Sequence, residues 1–110
     1  MPLFITYASY SNAGAKGLVE KPADRSEAIK ALVEKAGGKF KELYMTTGSN
    51  DVVLITEMPD GSDAVALGLA VTASGSVSKT TTVRAWTAKE FKAIAEKAAK
   101  YSGDYKPPGK

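Results

Sequence analysis

The sequence predicts an α+β domain: a four-stranded antiparallel sheet with its helices on one face. Three observations carry this. Runs of β-branched and aromatic residues alternate with helical-period segments in the order β-α-β-β-α-β-α. Near the middle, Tyr44-Met45-Thr46-Thr47-Gly48-Ser49-Asn50-Asp51-Val52-Val53-Leu54-Ile55 places two strand-like runs around a Gly-Ser-Asn-Asp turn, a β-hairpin pattern. The third strand is apolar on both faces, with Val52 and Leu54 on one and Val53 and Ile55 on the other.

The elements follow in order. Leu3 to Tyr10 is rich in β-branched and aromatic residues and reads as the first strand. Ser11-Asn12-Ala13-Gly14 supplies turn chemistry or a helix cap. Pro22 suits the first turn of a helix, in which Ile29, Leu32, Val33 and Ala36 share one face. Gly37-Gly38 ends it, one glycine taking the left-handed conformation. The second strand is expected over Lys39 to Thr47 and the third over Asp51 to Met58. Pro59-Asp60-Gly61-Ser62 then opens a helix over Asp63 to Ser74 that is apolar almost all round. Such a helix is buried on more than one side, here by a neighbouring subunit or by the carboxy-terminal segment. The fourth strand runs from Val77 to Trp86. Thr87-Ala88-Lys89-Glu90 is a capping-box pattern, and Phe91, Ile94, Ala95 and Ala98 give the last helix its apolar stripe.

This order is the split βαβ arrangement of the ferredoxin-like plait, with one extra helix at the carboxy terminus. Residues 1–99 read as a single domain and residues 100–110 as a mobile basic tail. Both crossover helices fall on the same side of the sheet, so the opposite face is bare. An antiparallel sheet with one wetted face alternates apolar with polar, and the third strand does not. The sequence therefore predicts a homodimer packed sheet to sheet, or a larger homo-oligomer.

Composition narrows the chemistry. The 110 residues, 44% hydrophobic and 25% charged, match one globular domain. With no cysteine and no histidine, disulfides, thiolate nucleophiles, zinc fingers and histidine bases are excluded. No cofactor is implied. The start, Met1-Pro2-Leu3-Phe4-Ile5, lacks the pattern of a signal peptide, and the longest mostly apolar run, Ala64 to Ala73, is too short to cross a bilayer. The expectation is a cytoplasmic protein without a membrane partner. Of the net charge of +3, residues 100–110 hold three lysines against Asp104, and the rest has 12 basic against 11 acidic residues. The body is nearly neutral, which points away from nucleic acid.

The fourth strand holds the main candidate for ligand contact. Alternation puts Ser78, Thr80, Thr82, Arg84 and Trp86 on one face and Val77, Lys79, Thr81, Val83 and Ala85 on the other. Arg84, beside Trp86 and among hydroxyls, has the planar fork that binds carboxylate or phosphate; an interface ion pair with Asp51 or Glu57 is the alternative. Tyr7 and Tyr44 project from strands one and two, where they can line a ligand or pack a subunit interface. Asp51 offers a general base if buried; beside Gly48 and Asn50 it can instead cap its own hairpin.

Several ordered stretches carry a family resemblance: Tyr10-Ser11-x-x-Gly14, Pro22, Gly37-Gly38-Lys39, Tyr44-x-Thr46-x-Gly48-x-Asn50-Asp51-Val52-Val53, Pro59-Asp60, Gly75, and Thr80-Thr81-Thr82-Val83-Arg84-Ala85-Trp86-Thr87. Over about residues 3–95 the chain resembles the GYD domain family, named for a Gly-x-Tyr-Asp hairpin motif. It keeps the glycine and aspartate of that motif as Gly48 and Asp51 and has Asn50 in the tyrosine's place. The resemblance implies the dimeric α/β-barrel group, which includes cofactor-free monooxygenases, isomerases and amino-acid-sensing modules, and it supplies no reaction. The function expected is binding of a small anionic or aromatic molecule by a homo-oligomer, with Arg84, Tyr44, Tyr7, Trp86 and Asp51 as ligand contacts. The alternatives are a cofactor-independent oxygenase or isomerase and a protein-interaction module without ligand. No catalytic residue is assigned.

Overall fold

A computed structural model describes residues 1–110. Strand β1 (Leu3–Tyr10) leads through Ser11 into helix α1 (Asn12–Glu20), and a short connection reaches α2 (Ser26–Lys35). The hairpin β2 (Lys39–Met45) and β3 (Val52–Glu57) follows, then α3 (Gly61–Ala73), β4 (Val77–Ala85) and α4 (Ala88–Tyr101), with a 3-10 turn at Ser102–Asp104. The strands form one sheet in the order β2-β3-β1-β4, every neighbouring pair antiparallel, which is the ferredoxin-like plait.

Two local features differ from expectation. Ser11 does cap a helix, its hydroxyl accepting the Gly14 amide at 3.0 Å, but that helix is α1, which the periodicity did not reveal. Gly14 and Gly17 lower its intrinsic propensity. Gly14 is there for space, because a Cβ on it would run into the Ser76 carbonyl oxygen. Pro22 lies in the connection between α1 and α2, not in the first turn of a helix. Asp24 marks the start of α2 instead, its carboxylate accepting the Ser26 amide at 2.9 Å.

The pairing register fixes which side chains share a face. Phe4, Thr6 and Ala8 of β1 pair with Arg84, Thr82 and Thr80 of β4 on the helix side. Leu3, Ile5, Tyr7 and Ser9 take the other side, with Val53 and Ile55 of β3. Two irregularities shift the pattern. The β1–β4 ladder passes from Ser9↔Lys79 to Tyr10↔Val77, so Ser78 is the extra residue and Val77 joins the face of Thr80 and Thr82. That corrects the strict alternation, which set Val77 with Lys79 and Thr81. Lys41 is the extra residue of β2, between Phe40↔Thr56 and Glu42↔Ile55.

The core sits where β1 and β3 meet α2 and α3. Phe4, Val33, Leu54, Met58, Ala64 and Leu67 form it, with Val33 and Met58 fully buried. Burying one such side chain stabilises by about 1.5–3 kcal/mol. Gly38 permits Met58 its place, because a Cβ on Gly38 would meet the Met58 sulfur. Only 11 residues of the chain are buried, a thin core for its length. The radius of gyration, 17.7 Å, exceeds the roughly 13 Å of a compact chain this size. Helix α4 is the reason: it makes no more than marginal contact with the sheet or the other helices. Its stripe is open, with Phe91 54% exposed, and so is the outer side of α3, with Leu69 68% exposed.

Candidate functional site

The main concavity lies between the helix side of the sheet and α1, α2 and α3. It measures about 860 Å³, within the range of small-molecule sites. Small side chains leave this room. Thr6, Ala8 and Leu54 form the floor, and Ala13, Gly14, Gly17 and Leu18 of α1 the roof. Those four positions fall on one helical face, so α1 presents mostly glycine and alanine to the sheet. Ile29 and Leu32 of α2 make one wall, Leu67 and Val71 of α3 the other. At Gly68 helix α3 comes close to β4, where a Cβ would lie 3.2 Å from the Thr80 hydroxyl. The floor hydroxyl of Thr6 is satisfied by that of Thr82 at 3.2 Å, so it makes no demand on a ligand.

The titratable groups lining the cleft are Tyr10, Lys21 and Arg25. Lys21 and Arg25 flank the connection after α1, both exposed, and neither forms an ion pair. The carboxylates beside them are engaged elsewhere: Glu20 with Lys16 at 3.9 Å, and Asp24 with the Ser26 amide. That amide bond, then one from the Ser26 side chain, holds the Asp24 carboxyl below its ordinary value. No group of three or more acidic side chains converges to hold a metal ion.

The five residues singled out from the sequence lie outside this cleft, and of them only Arg84 and Trp86 come together. Arg84 is on the helix side near the far end of β4. Its guanidinium lies over the Trp86 ring at 4.4 Å and the Phe4 ring at 5.8 Å. It donates to the Leu3 carbonyl at 3.2 Å and to the Ala85 carbonyl, and makes no ion pair with Asp51 or Glu57 within the chain. Tyr7 and Tyr44 occupy the opposite, helix-free face. Glu42 shares that face, and hydrogen bonding to it, then its charge, raise the Tyr44 hydroxyl above its ordinary pKa. Asp51 stands at the hairpin base, its carboxylate accepting the Tyr10 amide at 2.8 Å. It therefore caps the neighbouring strand β1, not its own hairpin. Gly48 supplies the turn, with φ +94°.

The cleft residues went unnoticed in the sequence because they are small or ordinary. The available signal was the run Ala13, Gly14, Gly17, Leu18 at helical spacing after a good N-cap, followed by two cations around Pro22.

With this geometry in hand, comparison with known proteins places the chain. The GYD domain family model matches residues 4–95, from β1 into α4. The chain belongs to the GYD domain family. The GYD match spans all four strands, but for Leu3, and the three helices that enclose the cleft. Among solved structures, the crystal structure of MtbAldR is similar with a TM-score of 0.52 and 11% identity, over 77% of this chain and 51% of that one. This GYD chain thus spans about half the length of that protein, and the likeness is one of fold. No curated protein matches the chain. No helix is long and apolar enough to cross a membrane.

Proposed function

We propose that this chain is a homo-oligomeric small-molecule-binding domain whose ligand sits in the cleft between the sheet and α1, α2 and α3. The observation that carries the reading is the cleft itself: about 860 Å³ in a chain of 110 residues, lined mainly by apolar and small side chains. A cavity of that size costs a small domain packing, and a bound molecule offsets the loss. The groups available to chemistry favour binding over catalysis. A cofactor-independent oxygenase or isomerase needs a desolvated base beside its substrate, and no carboxylate lines the cleft. Native mass spectrometry of protein purified without added ligand tests the reading. A discrete extra mass on an oligomer supports it; a ligand-free protein that takes up no apolar probe sinks it.

Homo-oligomerisation rests on three surfaces that the chain leaves open. Ile5, Val53 and Ile55 line the helix-free sheet face, which suits a sheet-to-sheet partner. The stripe of α4 and the outer side of α3 are the other two, and their charges are complementary. Helix α4 carries Lys89, Lys92, Lys97 and Lys100 against Glu90 and Glu96, whereas Asp60 and Asp63 begin an α3 without basic residues. An α4 from one copy laid antiparallel on the α3 of another buries both stripes and brings Lys97 and Lys100 to those aspartates.

A second reading keeps the sequence-derived contacts. Arg84 and Trp86 form an exposed stacked pair that a planar anion can extend. Tyr7 and Tyr44 would then belong to the sheet-to-sheet contact, and Asp51 would act through its hold on β1.

A further inference from the structure

We propose that the cleft takes an apolar or aromatic molecule with one anionic group, whose charge Lys21 and Arg25 hold at the mouth while the apolar body lies along Ala8, Leu54 and Leu67. This inference rests on the reading of the cleft as the ligand site and adds the chemistry of the ligand. Charge complementarity carries it. The only charged side chains lining the cleft are two cations, and both are free of ion pairs. The carboxylates next to them in sequence do not neutralise them: Glu20 pairs with Lys16, and Asp24 accepts the Ser26 amide.

The two cations differ in what the fold asks of them. Lys21 follows the last turn of α1, and its amide donates to the Gly17 carbonyl at 3.0 Å. A lysine there also suits the negative end of the helix dipole, so helix stability alone accounts for it. Arg25 is different. It occupies the N-cap of α2, makes no capping hydrogen bond with its side chain, and puts a positive charge at the positive end of that helix. Nothing in the helix gains from an arginine at that position. An anion seated between Lys21 and Arg25 turns the conflict into a favourable cluster, and the planar guanidinium fork matches a carboxylate, sulfonate or phosphate.

The apolar body follows from the rest of the lining. Beyond the mouth the floor and walls are mostly Ala, Val, Leu and Ile. The hydroxyls of Thr6, Tyr10, Ser74 and Ser76 are paired within the chain, which leaves that of Thr80 as a single polar contact for a ligand. A polar body would leave its donors and acceptors unmatched there.

Two fluorescent dyes with one aromatic body separate the parts of this proposal. The sulfonate 1-anilinonaphthalene-8-sulfonate carries the anion, and N-phenyl-1-naphthylamine is its neutral counterpart. In the intact chain both are expected to bind. Gly17→Trp fills the roof, where no atom lies within 4 Å of a Cβ, and is expected to abolish both signals. Lys21→Gln with Arg25→Gln is expected to weaken the sulfonate about tenfold and leave the neutral dye unchanged. Equal sulfonate binding by the double variant and the wild type overturns the anion assignment but keeps the cleft. If neither dye binds, or Gly17→Trp displaces neither, the cleft reading itself falls and this inference with it. Thermal melts of each variant confirm that the fold persists.

Discussion

The Asp51 carboxylate accepts the Tyr10 amide proton at 2.8 Å, and the Asp51 amide donates to the Ala8 carbonyl at 2.8 Å. One residue thus ties the end of β1 to the base of the β2–β3 hairpin, next to the ladder bulge at Ser78. Asp51→Ala is expected to destabilise the fold by about 1–3 kcal/mol, the cost of leaving a part-buried amide unpaired by a charged acceptor. Asp51→Asn keeps an acceptor and is expected to lose less. Denaturant melts measure both. Dye binding at saturation is expected to survive in each variant; its loss at full folding would make Asp51 a ligand contact.

Of the glycines, Gly14 sits at the closest approach to another segment. Gly14→Ala drives a methyl into the Ser76 carbonyl, so α1 must lift away from the segment joining α3 and β4. The expected cost is about 1–3 kcal/mol, typical of overpacking. Gly17→Ala, three residues on and facing open space, is expected to be neutral or stabilising through helix propensity. A pair of thermal melts decides this. If alanine is tolerated as well at Gly14 as at Gly17, the crossing does not set the requirement for glycine.

These glycines also mark the boundary of what the sequence revealed. The sheet was legible: β1, β3 and β4 lie within a residue or two of their patterns, and Thr87-Ala88-Lys89-Glu90 is a true capping box. Helix α1 was not, because its inward face is Ala13, Gly14 and Gly17, and a helix that lines a cleft has no apolar stripe to announce it. Face assignment failed only at Val77, where the bulge at Ser78 shifts the alternation by one. The candidate site was the least legible part. Charge and aromatic content drew attention to Arg84 and Trp86, whereas the cleft is defined by side chains that are missing.

Helix α4 gives the sharpest test of assembly. Phe91→Asp with Ile94→Asp puts charge into its apolar stripe without touching the sheet. Each apolar side chain contributes about 1.5–3 kcal/mol when buried, and a two-fold interface counts the change twice. The dissociation constant is therefore expected to rise at least ~100-fold. Light scattering after size exclusion reads the mass. An oligomer in the wild type that survives in the variant would show that α4 is not what joins the copies, and would leave the open sheet face as the interface.

The last prediction concerns acid. Asp60 accepts the Ser62 amide at 2.7 Å and the Ser62 hydroxyl at 2.5 Å, capping α3. Glu90 accepts the Thr87 amide at 2.8 Å while the Thr87 hydroxyl accepts the Glu90 amide at 3.1 Å, capping α4. These bonds hold both carboxyls below their ordinary values, the Ser62 side chain acting first for Asp60 and the Thr87 amide first for Glu90. A carboxyl lowered in the folded state favours folding fully above its ordinary value, and the gain disappears as pH falls through the folded value. The melting-temperature gap between wild type and Asp60→Ala is therefore expected to be widest and flat from neutral pH down to about 5, then to narrow below about 4. Thr87→Ala, which removes the reciprocal half of the capping box, is expected to cost about 1 kcal/mol at neutral pH. Circular dichroism melts between pH 7 and pH 3 follow both. A gap for Asp60→Ala that stays constant to pH 3 would mean that the cap acts through helix geometry and not through the charge on Asp60.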